Sequence, residues 1–182
     1  ILDCSIAEAE GLRAPLAALK PNSPDIELLR NRFYERIGET KDYYQMQQSR
    51  INDLGIQGTK DMAKGVKEWR LNQYASLADG ATQLIIWMKN QELFQAAQKR
   101  FEDIKQTVRF FNLVDNTEMR ELLAKAAESL DKAQSANEAA KEALNRFAAS
   151  ENSLGLIKDS LEALSETYQI FFDLSKVINP HP

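Results

Sequence analysis

The sequence predicts an all-α fold, an elongated up-down antiparallel bundle of four to five long helices. Between Ser23 and Ile178 the apolar residues recur at spacings of three and four, as they do along one face of an α-helix. The 182 residues contain only 7 glycines and 5 prolines, whereas β-sandwiches and barrels need turn residues about every ten positions. Hydrophobic residues make up 43% of the chain, which is enough to bury the core of one domain.

Residues 1–22 form a weaker segment, which we interpret as an N-terminal arm or a short broken helix. Gly11 and Pro15 interrupt the helical pattern between Ser5 and Lys20. Proline removes a backbone hydrogen bond and disturbs the preceding turn. Because the chain begins at Ile1 rather than at methionine, we expect a processed form or an excised fragment of a longer protein.

The first strong helix is expected to begin after Ser23. Serine is a good N-cap, Pro24 suits the first helical position, and Gly55 is the expected residue after the C-terminus. The apolar seam of this helix follows a coiled-coil heptad pattern. Its positions are Ile26, Leu29, Phe33, Ile37, Thr40, Tyr44, Gln47, Ile51 and Leu54.

A second long helical segment is predicted to begin near Thr59. Gly80 is the expected kink or break, so the sequence predicts either one long rod or two helices joined near Gly80. The seam of this segment has the positions Met62, Val66, Trp69, Gln73, Leu77, Leu84, Trp87, Phe94, Ala97, Phe101, Ile104, Val108 and Phe111.

Two further helices complete the predicted bundle, which spans residues 23–178 and leaves 179–182 as a C-terminal tail. Asp115, with Glu118 three residues later, predicts a capping box at the start of the first. Its seam alternates large residues with alanine, which lets a neighbouring helix approach closely: Leu123, Ala126, Leu130, Ala133, Asn137, Ala140, Leu144 and Phe147. The seam of the last helix has the positions Leu154, Ile157, Leu161, Leu164, Tyr168, Phe171, Leu174 and Val177.

The residues that carry most enzyme chemistry are nearly absent. The single histidine is His181 and the single cysteine is Cys4, at opposite ends of the chain. Histidine and cysteine supply most nucleophiles, proton shuttles and soft metal ligands, and di-iron bundles need inward Glu-x-x-His pairs. We therefore expect no enzyme, no catalytic residues, no cofactor and no metal site.

Charge and hydropathy disfavour two other classes of protein. The net charge is −4 and the longest basic run is Lys99–Arg100, whereas nucleic-acid binding depends on a basic face. The longest apolar run is Leu84–Met88, far shorter than the roughly 20 residues of a transmembrane helix. The sequence therefore predicts no nucleic-acid partner and no membrane span within this chain. A single cysteine leaves the compartment open.

Several polar residues occupy seam positions, and their role has two interpretations. As buried amides and hydroxyls they can fix register and oligomeric state, as a seam asparagine does in coiled coils. Alternatively they form a polar layer that binds a small-molecule ligand, with Tyr44 and Trp69 beside it. The candidate ligand site therefore comprises Thr40, Tyr44, Gln47, Trp69, Gln73 and Asn137.

Adjacent aromatic residues indicate a surface for a partner. In the pairs Phe110–Phe111 and Phe171–Phe172 only one ring can face a given seam, so the other needs a second contact or stays exposed. We take Arg109, Phe110 and Phe172 as the candidate partner surface. The leading functional prediction is a non-enzymatic interaction module that presents a helical surface to a protein partner, with self-association as one form of it.

Two alternatives to this function remain open. The first is the extracytoplasmic ligand-sensing domain of a membrane receptor, with its ligand in the polar layer. The second is a helical pore-forming or membrane-active subunit that inserts through Leu84–Met88.

Overall fold

A computed structural model describes residues 2–146 and 151–178, and this part of the chain is all-α. Of these residues 94% are helical, and none lies in a strand. A π-helical turn, Arg70–Tyr74, joins the segments Ile56–Trp69 and Ala75–Phe110 without a break, so the six α-helical segments of the described ranges make five continuous helices. The segments are α1 (Leu2–Ala18), α2 (Pro24–Arg50), α3 (Ile56–Trp69), α4 (Ala75–Phe110), α5 (Thr117–Asn145) and α6 (Glu151–Ile178).

The chain divides into two compact units. Unit 1 comprises Ile1–Ile86 with Ala143–Ser150, and unit 2 comprises Trp87–Glu142 with Glu151–Pro182. The bundle limits drawn from the sequence, 23–178, stay a prediction. Phe147, His181 and the predicted tail 179–182 lie outside the described residues.

In unit 1 the helices run in an up-down-up order. Glu10 on α1 bonds to Lys41 on α2 at 2.7 Å, and the carbonyl of Leu19, just after α1, accepts a hydrogen bond from Arg30 on α2. Later positions on α1 thus meet earlier positions on α2, which makes the two helices antiparallel. The segment α3 returns antiparallel to α2, because Trp69 packs on Tyr44 whereas the later Gly80 meets the earlier Phe33.

The break expected near Gly11 and Pro15 does not occur. α1 is continuous from Leu2 to Ala18 with Pro15 inside it, and it packs against α2 rather than extending as an arm. Pro15 is on the exposed face, whereas Ala9 and Leu16 are fully buried. Tertiary contacts therefore hold the helix across its weakest turn, and local propensity alone does not reveal them.

The predicted seam of α2 is buried from Ile26 to Tyr44, and it ends near the helix C-terminus, where Ile51 is exposed. Ser23 stands at the N-cap with extended backbone, as predicted, but its hydroxyl bonds to the Asp25 carboxylate rather than to a backbone N–H. Gly55 is not a left-handed C-terminal residue: it is extended and caps α3, which begins at Ile56 rather than near Thr59.

The irregularity expected at Gly80 lies instead at residues 70–74. The backbone N–H of Ala75 bonds to the carbonyl of Arg70, five residues back, and Gly80 continues α4 without a break. This π turn contains one residue more than an α-helical turn. The buried position expected seven residues after Val66 is therefore shifted by one residue along the chain. Tyr74 is consequently buried, and Gln73, assigned to the seam, is exposed.

Gly80 has a packing role. A Cβ atom added there would lie 2.8 Å from Cε1 of Phe33, a buried ring on α2. That separation is shorter than a van der Waals contact, so α4 and α2 approach this closely only because residue 80 has no side chain.

Unit 2 repeats the up-down-up order. On α5 and α6 the later Ala133 meets the earlier Ser160, and the earlier Ser129 meets the later Ala163, so these helices are antiparallel. The rings of Phe101 on α4 and Phe171 on α6 stack at 6.2 Å. The buried core is a single cluster: Phe94, Ala97, Val108, Met119, Ala126, Leu130, Ala133, Ala163, Leu164, Ile170, Phe171 and Leu174.

Part of the seam predicted for α6 is wrong. Leu154, Leu161 and Tyr168 are 49%, 37% and 40% exposed, respectively. The buried positions one residue earlier are Ser153, Ser160 and Thr167, all at 0%. Small hydroxyl side chains fill these positions because α5 approaches with alanines, and this leaves no room for leucine there.

The junction of α4 and α5 also differs from the prediction. Phe111, assigned to the seam, is exposed, because Asn112 takes a left-handed conformation with φ of 53° and ends the helix. The N-cap of α5 is Asn116 rather than Asp115: its side-chain oxygen accepts a hydrogen bond from the Met119 N–H at 3.0 Å.

We expect Gly80→Ala to lower the free energy of unfolding by about 1–3 kcal/mol, because the new methyl group overpacks against Phe33. Gly65→Ala is the matched control: nothing lies within 4 Å of its added Cβ. The control should raise stability by about 0.5–1 kcal/mol through helix propensity. Urea denaturation measures both, and an alanine that stabilises both positions equally would contradict the close contact.

Candidate functional site

The structure places the six residues of the predicted polar layer in different surroundings. Thr40 and Tyr44 are buried on α2, and Gln47 and Trp69 are half-buried. Gln73 is exposed because of the π turn, and Asn137 belongs to unit 2. Within unit 1 the rings of Tyr44 and Trp69 meet directly, edge to face at 5.5 Å.

An aromatic cluster occupies this part of unit 1. Tyr43 stacks on Trp69 at 4.1 Å, and Tyr44 packs its edge against Tyr74 at 6.0 Å. The hydroxyl of Thr40 donates to the carbonyl of Arg36 in its own helix at 3.0 Å, which satisfies it without a ligand. Large aromatic surfaces therefore dominate here, and the polar groups lie at the edge of the cluster.

Two tyrosine hydroxyls in the cluster are buried without a hydrogen-bond partner among the described residues. Tyr44 is 0% exposed and Tyr74 is 1% exposed. Burial raises the pKa of both hydroxyls, because a phenolate would lose its hydration. The Arg70 guanidinium lies near enough to oppose that rise in the pKa of Tyr44, yet neither Arg70 nor Ser5 makes a well-aligned hydrogen bond to this hydroxyl.

Arg70 links the cluster to α1. Its Nη2 bonds to Oε2 of Glu8 at 2.7 Å, and its guanidinium lies 5.2 Å from the centre of the Tyr74 ring. In an α-helix residues four apart are about 40° apart around the axis, whereas the wider π turn brings them nearer to alignment. The π turn therefore places Arg70 over Tyr74, beside the two unpartnered hydroxyls.

A cleft of about 690 Å³ opens next to this cluster, between α1, the end of α2 and α3. Its walls are mainly apolar and its rim carries charged residues. It is lined by Leu2, Asp3, Ser5, Gln48, Ile51, Thr59, Met62, Ala63, Lys64, Val66, Lys67 and Arg70.

The sequence analysis missed this cleft and did not assign Glu8, Arg70 or Tyr74 to a common site. Glu8 and Arg70 are 62 positions apart, and only the fold brings them together. The available signal was the excess of basic residues between Lys60 and Arg70, three of which line the cleft.

Unit 2 holds a separate set of buried polar residues in which most groups have partners. The indole N–H of Trp87 donates to the carbonyl of Asn137 at 2.9 Å, and the Asn137 amide donates to Oε1 of Gln91. The Asn90 amide donates to Oγ of Ser160 at 2.9 Å, which in turn donates to a carbonyl of α5. These bonds connect α4, α5 and α6 at fixed positions, as register-setting contacts do.

The candidate partner surface is exposed, but its residues lie on different helices. Phe110, the last residue of α4, is 81% exposed and packs edge to face only on Phe111; Arg109 beside it is exposed too. Phe172 on α6 is 58% exposed, with the Lys176 ammonium 4.3 Å from its ring centre.

Phe172 belongs to a longer feature, which we call the α6 stripe: Leu154, Leu161, Tyr168 and Phe172. Leu154 and Phe172 are eighteen positions apart, which is five full turns, and the other two lie at heptad spacing between them. The four exposed side chains therefore share one face of α6, about 27 Å long.

Other sites named from the sequence are placed as follows. Leu84, Trp87 and Met88 of the apolar run are buried, and Ile85 and Ile86 are half-buried. Cys4 is exposed and unpaired. Across residues 2–146 and 151–178, no three histidine, cysteine or acidic side chains come together as metal ligands. No helix in those ranges is both long and apolar enough to span a membrane.

Comparison with known protein families, with curated proteins and with solved structures found no match to this chain.

We expect Ser160→Ala to lower the free energy of unfolding by about 1–3 kcal/mol, because it leaves the buried Asn90 amide without an acceptor. Ser165→Ala, on the exposed side of α6, should change stability by less than about 0.5 kcal/mol. Chemical denaturation gives the free energy of unfolding of each variant. Equal stability of both would show that the Asn90–Ser160 bond contributes little.

The raised pKa values of Tyr44 and Tyr74 predict a loss of stability in alkali. Unfolded tyrosines ionise near 10.0, so above that pH the unfolded chain releases protons that the native protein retains. The free energy of unfolding should therefore fall as pH rises from about 9 to 11. The fall should be smaller in the double variant Tyr44→Phe, Tyr74→Phe. Parallel pH curves for wild type and variant would contradict the burial of these hydroxyls.

Proposed function

We propose that the protein is a non-enzymatic interaction module that presents the α6 stripe to a helical protein partner. The observation that carries the proposal is an exposed apolar row on a helix whose adjacent face, about 100° around the helix axis, already forms the core of unit 2. A helix with apolar residues on two sides usually packs on two sides. Two anchors of the row are aromatic, and aromatic residues are enriched among the residues that dominate binding energy.

The charges beside the stripe favour a basic partner. Asp159, Glu162 and Glu166 follow one edge of the stripe along α6 and are exposed. Two lysines on the same side, Lys158 and Lys176, are engaged by Glu162 at 3.4 Å and by Asp173 at 2.9 Å, respectively. A partner helix with an apolar row flanked by lysine or arginine would meet opposite charges there, which increases both the association rate and the specificity.

Self-association through the stripe is the less favoured form of this function. Two copies meeting face to face would bring their acidic edges into the same interface, and like charges in contact disfavour association. The exposed pair Phe110–Phe111, with Arg109 beside it, is a second apolar surface on which a partner could extend its contact.

The proposal is tested with a synthetic amphipathic helix of leucine and lysine that carries leucines at heptad spacing. We expect it to bind the full chain, and Leu161→Glu to weaken binding at least about tenfold, because a buried carboxylate in an apolar interface costs well over 1.4 kcal/mol. Titration calorimetry gives both dissociation constants. Circular dichroism checks that the variant remains helical.

Leu28→Glu is the control, since Leu28 is an exposed leucine on α2, in unit 1, outside the stripe. It should leave the affinity unchanged. An acidic peptide in which glutamate replaces lysine should bind at least about tenfold more weakly. Equal binding by wild type and Leu161→Glu would refute the stripe as the docking surface. A concentration-dependent mass in light scattering that Leu161→Glu abolishes would assign the stripe to self-association instead.

A further inference from the structure

The cleft of unit 1 is apolar inside and open to water. Leu2 on α1, Ile51 after α2, and Met62 and Val66 on α3 line it. Apolar surface in contact with water is unfavourable, and its removal by an apolar occupant is the main source of affinity in such sites. The cleft is therefore suited to a hydrocarbon group.

The size of the cleft favours a small molecule over a protein. Its volume of about 690 Å³ lies within the range of about 300–1,000 Å³ that is typical of small-molecule sites. A stable protein interface takes about 20–30 residues from each side, whereas twelve residues line this cleft.

The charged residues at the rim of the cleft indicate which polar group the ligand carries at the end of its hydrocarbon chain. Lys64, Lys67 and Arg70 follow one edge of α3 at spacings of three, and Asp3 is the acidic residue among the lining groups. Asp3 accepts a hydrogen bond from Gln48, and Arg70 is bonded to Glu8. Among the described residues Lys67 has no ion-pair partner, so its ammonium is available to an anionic group.

A second polar feature lies next to the Arg70 end of the cleft. Ser5 and Arg70 line the cleft and neighbour the hydroxyl of Tyr44, which is buried and unpartnered. Buried hydroxyls without partners are rare in folded proteins. An oxygen-bearing ligand at the Arg70 end of the cleft would bring acceptor oxygens near that hydroxyl.

We infer that this cleft binds a long-chain carboxylate, with the hydrocarbon chain between α1 and α3 and the carboxylate at the cationic rim formed by Lys67 and Arg70. The apolar walls, the small volume and the excess of cations at the rim each support this class of ligand. The site is independent of the α6 stripe, which belongs to the other unit.

The inference is tested by titrating the full chain with saturated carboxylates of eight to sixteen carbons, each below its micellar concentration. We expect the dissociation constant to fall about fourfold per added methylene until the cleft is filled. Ala63→Trp, at an exposed position that lines the cleft, should abolish binding by filling it. Lys67→Glu should weaken carboxylate binding at least about tenfold and leave binding of the matching alkanol unchanged.

Lys60→Glu is the matched control, because Lys60 is an exposed lysine of α3 that does not line the cleft. It makes the same change in net charge and should alter the affinity less than about twofold. No binding by any chain length, or binding that survives Ala63→Trp, would overturn the inference. Equal weakening by Lys60→Glu and Lys67→Glu would also overturn it, since it would indicate a general charge effect rather than a site.

Discussion

Close approach between neighbouring helices is the constraint on which both units depend. In unit 1 the ring of Phe33 fills the space that Gly80 leaves open. In unit 2 the hydroxyls of Ser129 and Ser160 reach backbone carbonyls of the facing helix at 2.9 and 3.0 Å. Such contacts leave room for only a small side chain at Ser160 of α6, although Ile157 and Leu164 are buried beside it. Leu161, the large apolar residue that follows Ser160, therefore lies outside the core and belongs to the exposed stripe.

The sequence predicted those seams in which large apolar residues mark the buried face. From Ile26 to Tyr44 the seam of α2 is buried as predicted, because each turn offers one obvious apolar residue. Hydrophobicity failed for α6, where a buried serine such as Ser160 has the same sequence signal as a surface serine. It failed again at Gly80, since a glycine required by a contact and a glycine that ends a helix cannot be distinguished without knowledge of Phe33.

The candidate site was only partly predictable for a related reason. Tyr44 and Trp69, both named from the sequence, pack edge to face, since helical spacing puts each on the face along which α2 and α3 pack. Tyr74 and Arg70 depend on one extra residue in the turn, and Glu8 depends on the packing of α1. Both units contain buried polar atoms without a hydrogen-bond partner among the described residues. In unit 2 these are the amide oxygens of Asn90 and Asn137, whose amide nitrogens bond to other helices, and in unit 1 they include two phenol hydroxyls beside an open cleft.

The π turn at residues 70–74 shifts the buried face of a long helix by one residue within a single turn. Seven residues after the buried Val66, Gln73 is exposed, and the next residue, Tyr74, is buried in its place. A homologous chain with an uninterrupted α-helix would align to this one only if a one-residue gap were placed between Val66 and Tyr74.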